Sequence, residues 1–200
     1  MWWKKQPAPI GDKSTPVWMG PGEFSQLLAA IEATGPSTFL EWGAGGSTMA
    51  ILKECPYIER YVAVEHNTEW YEQVVEKVTD PRLSIYNILP DIPPDANLTY
   101  QQMCDWTEDV EQDATIMASY VGHPATLGLR FEFILVDGRA RRHCIDEGFK
   151  LLSPGGTLAV HDAQRTTYHD AIIRQTGRAL FLTPWEQGQL CLIHKVRESD

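Results

Sequence analysis

The chain has 200 residues, 43% of them hydrophobic and 22% charged, which suits one globular domain with its own core. Its formal charge of −10 disfavours a nucleic-acid backbone as main partner, because phosphate recognition draws on clustered Lys and Arg. No stretch reaches the roughly 18 apolar residues that would span a bilayer, and the polar, proline-rich start MWWKKQPAPIGDKSTP lacks the apolar middle of a secretory signal. A cytoplasmic protein without a membrane partner is therefore expected. The four cysteines are far apart in sequence, with no CxxC pair or metal-ligand spacing, as expected of free thiols in a reducing compartment.

In chain order, residues 1–20 read as a loosely structured arm. Phe24, Leu27, Leu28 and Ile31 recur at helical spacing, and Gly35–Pro36 ends that helix. Strands are expected at 37–42, 60–65, 83–89, 131–137 and 157–163. Helices are expected at 47–54, 68–79, 141–152 and 168–175. Ser153-Pro-Gly-Gly156 closes the helix at 141–152. RALFLT and QLCLIHK, joined by PWEQG, read as a terminal hairpin. Alternating strands and helices predict a doubly wound, three-layer α/β sandwich. Its seven-stranded sheet would be mostly parallel, with an antiparallel C-terminal strand. Residues 90–130 exceed an ordinary connection. They contain an acidic helix through Trp106 and Val110, and suit a lid over the site, a surface decoration or a homodimer contact.

Chemistry concentrates in FLEWGAGGSTMAIL, residues 39–52. Three glycines, Gly43, Gly45 and Gly46, follow an apolar strand and open a helix, so backbone N–H groups can approach a ligand. A P-loop would need GxxxxGK[ST], and no lysine follows until Lys53. A dinucleotide GxGxxG is met at only two of three positions, since Thr48 takes the third glycine's place. The remaining pattern sets an acid, Glu41, two residues before the first glycine.

The run Glu41-Trp-Gly43-Ala-Gly45-Gly46-Ser47-Thr48 resembles the first motif of class I S-adenosylmethionine (SAM) dependent methyltransferases, in an E-x-G-x-G-G-S-T form. Three later features agree: Glu65 ending the second strand, Asp137 ending the fourth, and the LLSPGG turn before the fifth. The resemblance covers roughly residues 37–195. It implies SAM as cofactor, with Gly43, Ala44, Gly45, Gly46 and Ser47 packed against it and Thr48 opening the helix. Glu41 would sit beneath this loop, accepting from backbone N–H groups or from the cofactor's ammonium through water. Glu65 would accept from both ribose hydroxyls, His66 and Asn87 would lie on the adenine side, and Asp137 and Gly138 would border the methyl pocket.

The resemblance leaves the acceptor open, and a small molecule is expected. Methyl transfer mainly needs positioning, sometimes with a base, and Asp137, His161 and Asp162 are the candidates for base or substrate ligand. Asp137 and Asp162 also match two Mg²⁺ ligands of catechol-type relatives, but Ala163 stands where the third would be, so no metal is expected. Arg139 lies near Asp137 and Arg165 near Asp162, for salt bridges or an anionic acceptor. The basic cluster Arg139, Arg141, Arg142 and His143 suits an anionic ligand or a solvated helix start. Two other readings stay open: SAM or S-adenosylhomocysteine (SAH) binding without transfer, and an NAD-type oxidoreductase.

Overall fold

The computed structural model describes residues 10–12, 15–95, 97–184 and 188–197. Short strands β1 (Ile10–Asp12) and β2 (Thr15–Val17) pair as an antiparallel ribbon. Helix α1 (Pro21–Thr34) follows, with proline at its start and Gly35 in the left-handed conformation at its end. The core then runs β3 (Thr38–Trp42), α2 (Gly46–Glu54), β4 (Arg60–Glu65), α3 (Thr68–Lys77) and β5 (Leu83–Asn87). Next come α4 (Tyr100–Gln112), α5 (Ala118–Thr126), β6 (Phe131–Val136), α6 (Arg141–Leu151) and β7 (Leu152–Val160). A 3₁₀ turn at Thr166–Tyr168, α7 (His169–Ile173), β8 (Arg178–Phe181) and β9 (Cys191–His194) complete the series.

The seven-stranded sheet has the order β5-β4-β3-β6-β7-β9-β8. Only β9 runs against the rest, seated between β7 and β8. The expected doubly wound architecture is therefore present. The chain builds outward from β3 to β5, then crosses back to β6. That reversal puts the switch point between the carboxyl ends of β3 and β6, where ligands bind in such sheets.

Strand side chains alternate between two cores. Phe39, Tyr61, Ala63, Phe133 and Leu135 face α1, α2 and α3, packing on Leu27, Ile31, Ile51 and Val74. Leu40, Trp42, Val62, Val64, Ile134 and Val136 face the other way, onto Val110, Tyr120, Ile145 and Phe149 of α4, α5 and α6. The central strands are thus apolar on both faces, which explains runs such as FEFILV.

Several boundaries differ from expectation. The third strand stops at Asn87, and the helix expected at 168–175 is a 3₁₀ turn followed by α7. The fifth strand begins at Leu152, so Ser153-Pro-Gly-Gly156 lies within β7, at a register shift against β6. His161 and Asp162 fall just past the strand's end. Helix α5 was not anticipated, because Pro124 interrupts its pattern. A parallel crossover from β5 to β6 needs such a helix, and Tyr120 and Val121 are buried on the sheet accordingly. Residues 1–9 and 13–14 of the expected arm, and Trp185–Gln187 of the hairpin connection, lie outside the described residues.

Candidate functional site

The loops after β3 and β6 meet at the switch point. Gly43 adopts φ 100°, and a Cβ there would come within 2.6 Å of the Gly138 backbone. A Cβ on Gly138 would in turn fall on the Tyr120 hydroxyl. Both glycines are therefore required by close approach. Gly45 differs: a Cβ there would meet nothing within 4 Å. Gly46 is closed off from the other side, since a Cβ would overlap the Pro16 backbone of β2. The ribbon is held in place by Thr15, which is buried and bonded to Lys77 of α3.

Beneath the loop, Glu41 is fully buried. Its carboxylate accepts from Ser47 Oγ and Thr48 Oγ1, both at 2.5 Å, and from the Tyr61 hydroxyl at 2.8 Å. Three hydroxyls, rather than the expected backbone N–H groups, are its partners. Burial pushes this carboxyl up to about 7, against the downward pull of those donors. Thr48 also accepts from Gly45 N–H at 3.0 Å, so the network fixes the loop from below.

Glu65 ends β4 and lies in register with Asn87 on β5. Its Oε1 accepts from Asn67 N–H at 2.7 Å and lies 3.0 Å from His66 Nδ1. The His66 ring stands edge-on to Tyr120, with centroids 5.7 Å apart. Asn87 donates to Thr68 Oγ1 at 2.9 Å, which leaves its buried Oδ1 without a donor.

The other half of the site is a dense charge cluster. Asp137, His161 and Asp162 are brought together just beyond β6 and β7. His161 Nδ1 is 2.5 Å from Asp137 Oδ1, and its Nε2 is 3.4 Å from Glu23 Oε1 and 3.8 Å from Asp162 Oδ1. Burial disfavours the imidazolium, but Asp137 and Glu23 outweigh it and raise His161 to about 10. A carboxylate at each ring nitrogen favours the charged form of this ring. Asp162 adopts φ 58°, a sparsely populated conformation outside glycine. Burial would raise its carboxyl, yet His161, Arg141 and Arg165 together lower it.

Arg141 organises this half. Its guanidinium donates to the carbonyls of Gly138 (2.9 Å), His161 (2.8 Å) and Asp137 (2.8 Å). It also donates to the Asp162 carboxylate (3.1 Å) and the Asp137 carboxylate (3.3 Å). All five of its N–H groups are engaged. Arg142 pairs with Asp170 and Gln112, and Glu111 accepts from the backbone N–H groups of both arginines. Arg141 and Arg142, two of the four residues of the basic cluster, are thus engaged within the protein. Asp162 does pair with Arg165, at 3.0 Å, but the arginine of Asp137 is Arg141 rather than Arg139. Arg141 spans the two carboxylates that a divalent ion would need, and Ala163 is buried with no ligand atom.

Glu23 was missed by sequence reasoning. It sits in the first turn of an ordinary amphipathic helix, and its only signal is an acid beside the buried Phe24 and Leu27. In the fold it is 1% exposed, lies against His161, and has Gly188 closing over it, where a Cβ would overlap its carboxylate.

No family model matches the chain, and neither does any curated protein. Solved structures do. An O-methyltransferase from Bacillus cereus, crystallised with SAH, matches with a TM-score of 0.57 at 15% identity, covering 94% of this chain and 84% of that one. A methyltransferase-like protein from Silicibacter pomeroyi gives 0.54 at 18% identity, over 92% and 91%. The N-methyltransferase NodS from Bradyrhizobium japonicum, in complex with SAH, gives 0.52 at 15%, over 87% and 85%. This chain has the doubly wound, Rossmann-like fold that those methyltransferases share.

Proposed function

We propose that the chain binds SAM and transfers its methyl group to a small-molecule acceptor. The observation that carries this reading is free space and spare acceptor capacity at the carboxyl ends of β3, β4 and β5. Gly45 faces free space, Glu65 stands at the strand end, and Asn87 Oδ1 is buried without a donor. These suit an adenosine-containing ligand: the Glu65 carboxylate can take two ribose hydroxyls, and the Asn87 carbonyl an amine of the base. Gly43 to Ser47 would pass the amino-acid end, held rigid by Glu41 from below. The E-x-G-x-G-G-S-T form of the motif supports the same assignment, through the hydroxyls of Ser47 and Thr48 that anchor Glu41.

Bound SAM supplies a methyl group on a sulfonium, open to displacement by an acceptor lone pair. The chain's part is to position and to exclude water. Gly43 and Gly138 bring the two loops into contact, and Arg141 locks the second loop through Asp137 and Gly138. Residues 90–130 are assigned a covering role, supported by the exposed apolar side chains Ile92, Tyr100 and Met103 beyond the end of β5. Four free cysteines suit a reducing, cytoplasmic setting.

One observation favours a second reading, cofactor binding without transfer. His161 has a carboxylate at each ring nitrogen, and both Asp137 and Asp162 are held by Arg141, so none of the three is a free base. Calorimetry with SAM, SAH and NAD tests the cofactor. Release of SAH from SAM, assayed across small hydroxyl and amine compounds, separates transfer from binding alone. Binding of NAD but of neither SAM nor SAH would overturn the proposal.

A further inference from the structure

The glycine loop is gripped from two sides. Glu41 holds it from below, and the β1–β2 ribbon closes its outer side. A Cβ on Gly46 would come within 2.4 Å of the Pro16 carbonyl group and 2.5 Å of Val17 N. Both ribbon strands lie against α2. Val17 and the following Met19 are buried in the same core as Ala44 of the loop and Ile51 of α2. Thr15 is fully buried, and its hydroxyl accepts from the Lys77 ammonium at the end of α3. Each strand has only three residues. A two-stranded ribbon is marginally stable by itself, so these contacts decide how firmly it stays docked.

Docking bears on the ligand because Gly46 is the first residue of α2. The first N–H groups of a helix have no acceptor within the helix, and the amino-acid end of SAM would pass them. Gly45 and Gly46 carry no side chain to restrict them, and within the loop Glu41 reaches only Ser47 and Thr48. We propose that the ribbon is a positioning element of the cofactor site, with Thr15 and Pro16 as its positioning residues. Docked, it holds Gly46, and with it the start of α2, in the arrangement that receives SAM. This inference rests on the SAM reading above. Coupling of this kind is reciprocal: if docking strengthens binding, the bound cofactor holds the ribbon down by the same factor.

The test combines calorimetry with SAH and amide hydrogen exchange across the ribbon, at a temperature where every variant is folded. Alanine suits a helix better than glycine, so the harm in Gly46→Ala comes from its Cβ meeting Pro16. It is expected to weaken SAH about tenfold. Thr15→Val keeps the shape, removes the acceptor of Lys77, and is expected to weaken SAH about threefold. In the unaltered chain, saturating SAH is expected to slow exchange at the ribbon amides about threefold or more. A ribbon that serves stability alone would lower the melting temperature of both variants and leave SAH affinity and exchange as they were. Weaker binding in the variants, together with protection of the ribbon by SAH, supports the proposal. Absence of either overturns it while leaving the cofactor reading intact. Should Gly46→Ala not fold, Thr15→Val decides by the same criterion. Failure of the unaltered chain to bind SAH overturns both.

Discussion

The two halves of the site differ in how far their polar groups are spent. On the β3–β5 side, Gly45 looks into open space, and Asn87 keeps a buried acceptor free. On the β6–β7 side, Arg141 uses every N–H it has, and His161 has a carboxylate at each ring nitrogen. A half with open valences is built to receive a ligand. A half with closed valences is built to hold a shape and a field. Binding determinants should therefore map to the first half, and stability determinants to the second.

Arg141→Ala should break this comparison most severely. It leaves Asp137 and Asp162 partly buried without their shared cation, and stability should fall by about 3–5 kcal/mol. Urea unfolding would measure it. A loss below 1 kcal/mol would mean that the cluster is solvated in practice. Gly43→Ala comes next, at about 3 kcal/mol, because the new Cβ meets the Gly138 backbone and Gly43 has positive φ. Calorimetric melting would show whether the two loops part to accommodate it.

Glu65→Ala should act in the opposite way. SAM affinity should fall by about 1–3 kcal/mol, the scale of hydrogen bonds to a charged group, with little change in melting temperature. Unchanged affinity would place the ribose elsewhere.

Two pH slopes, one from each half, sharpen the comparison further. Both folded groups hold their proton more tightly than in the unfolded chain, so each favours folding at low pH and loses that advantage as pH rises. For Glu41 the loss runs from its ordinary value of 4.5 to about 7. For His161 it runs from 6.5 to about 10. Subtracting the stability curve of Glu41→Gln from that of the unaltered chain should isolate the first window, and His161→Gln the second. A single window shared by both substitutions would show that the two halves share one titrating network.

The first half was legible in the sequence because its parts are local. Glu41, Gly43, Ser47 and Thr48 lie within eight consecutive positions, and a strand-to-helix turn brings them together. Glu65 follows from the same alternation, one strand later. The internal use of Glu41 was less visible, since Tyr61, its third donor, comes from the neighbouring strand. The second half depends on long-range closure. Glu23 and His161 are 138 positions apart, and no spacing rule links a first-turn acid to a strand end. Arg141 read as one basic residue among four because its side-chain partners lie on two loops, one of them 20 positions further along the chain. Helix α5 was hidden by Pro124 and is recovered only by asking how β5 returns to β6.

The central claim is that the open half receives SAM. Titration of SAH into the chain and into Glu65→Ala by calorimetry tests it most directly. The account predicts saturable one-to-one binding to the chain, weakened about fivefold or more by the substitution, with circular dichroism unchanged. Absence of binding to a chain that is folded would contradict it.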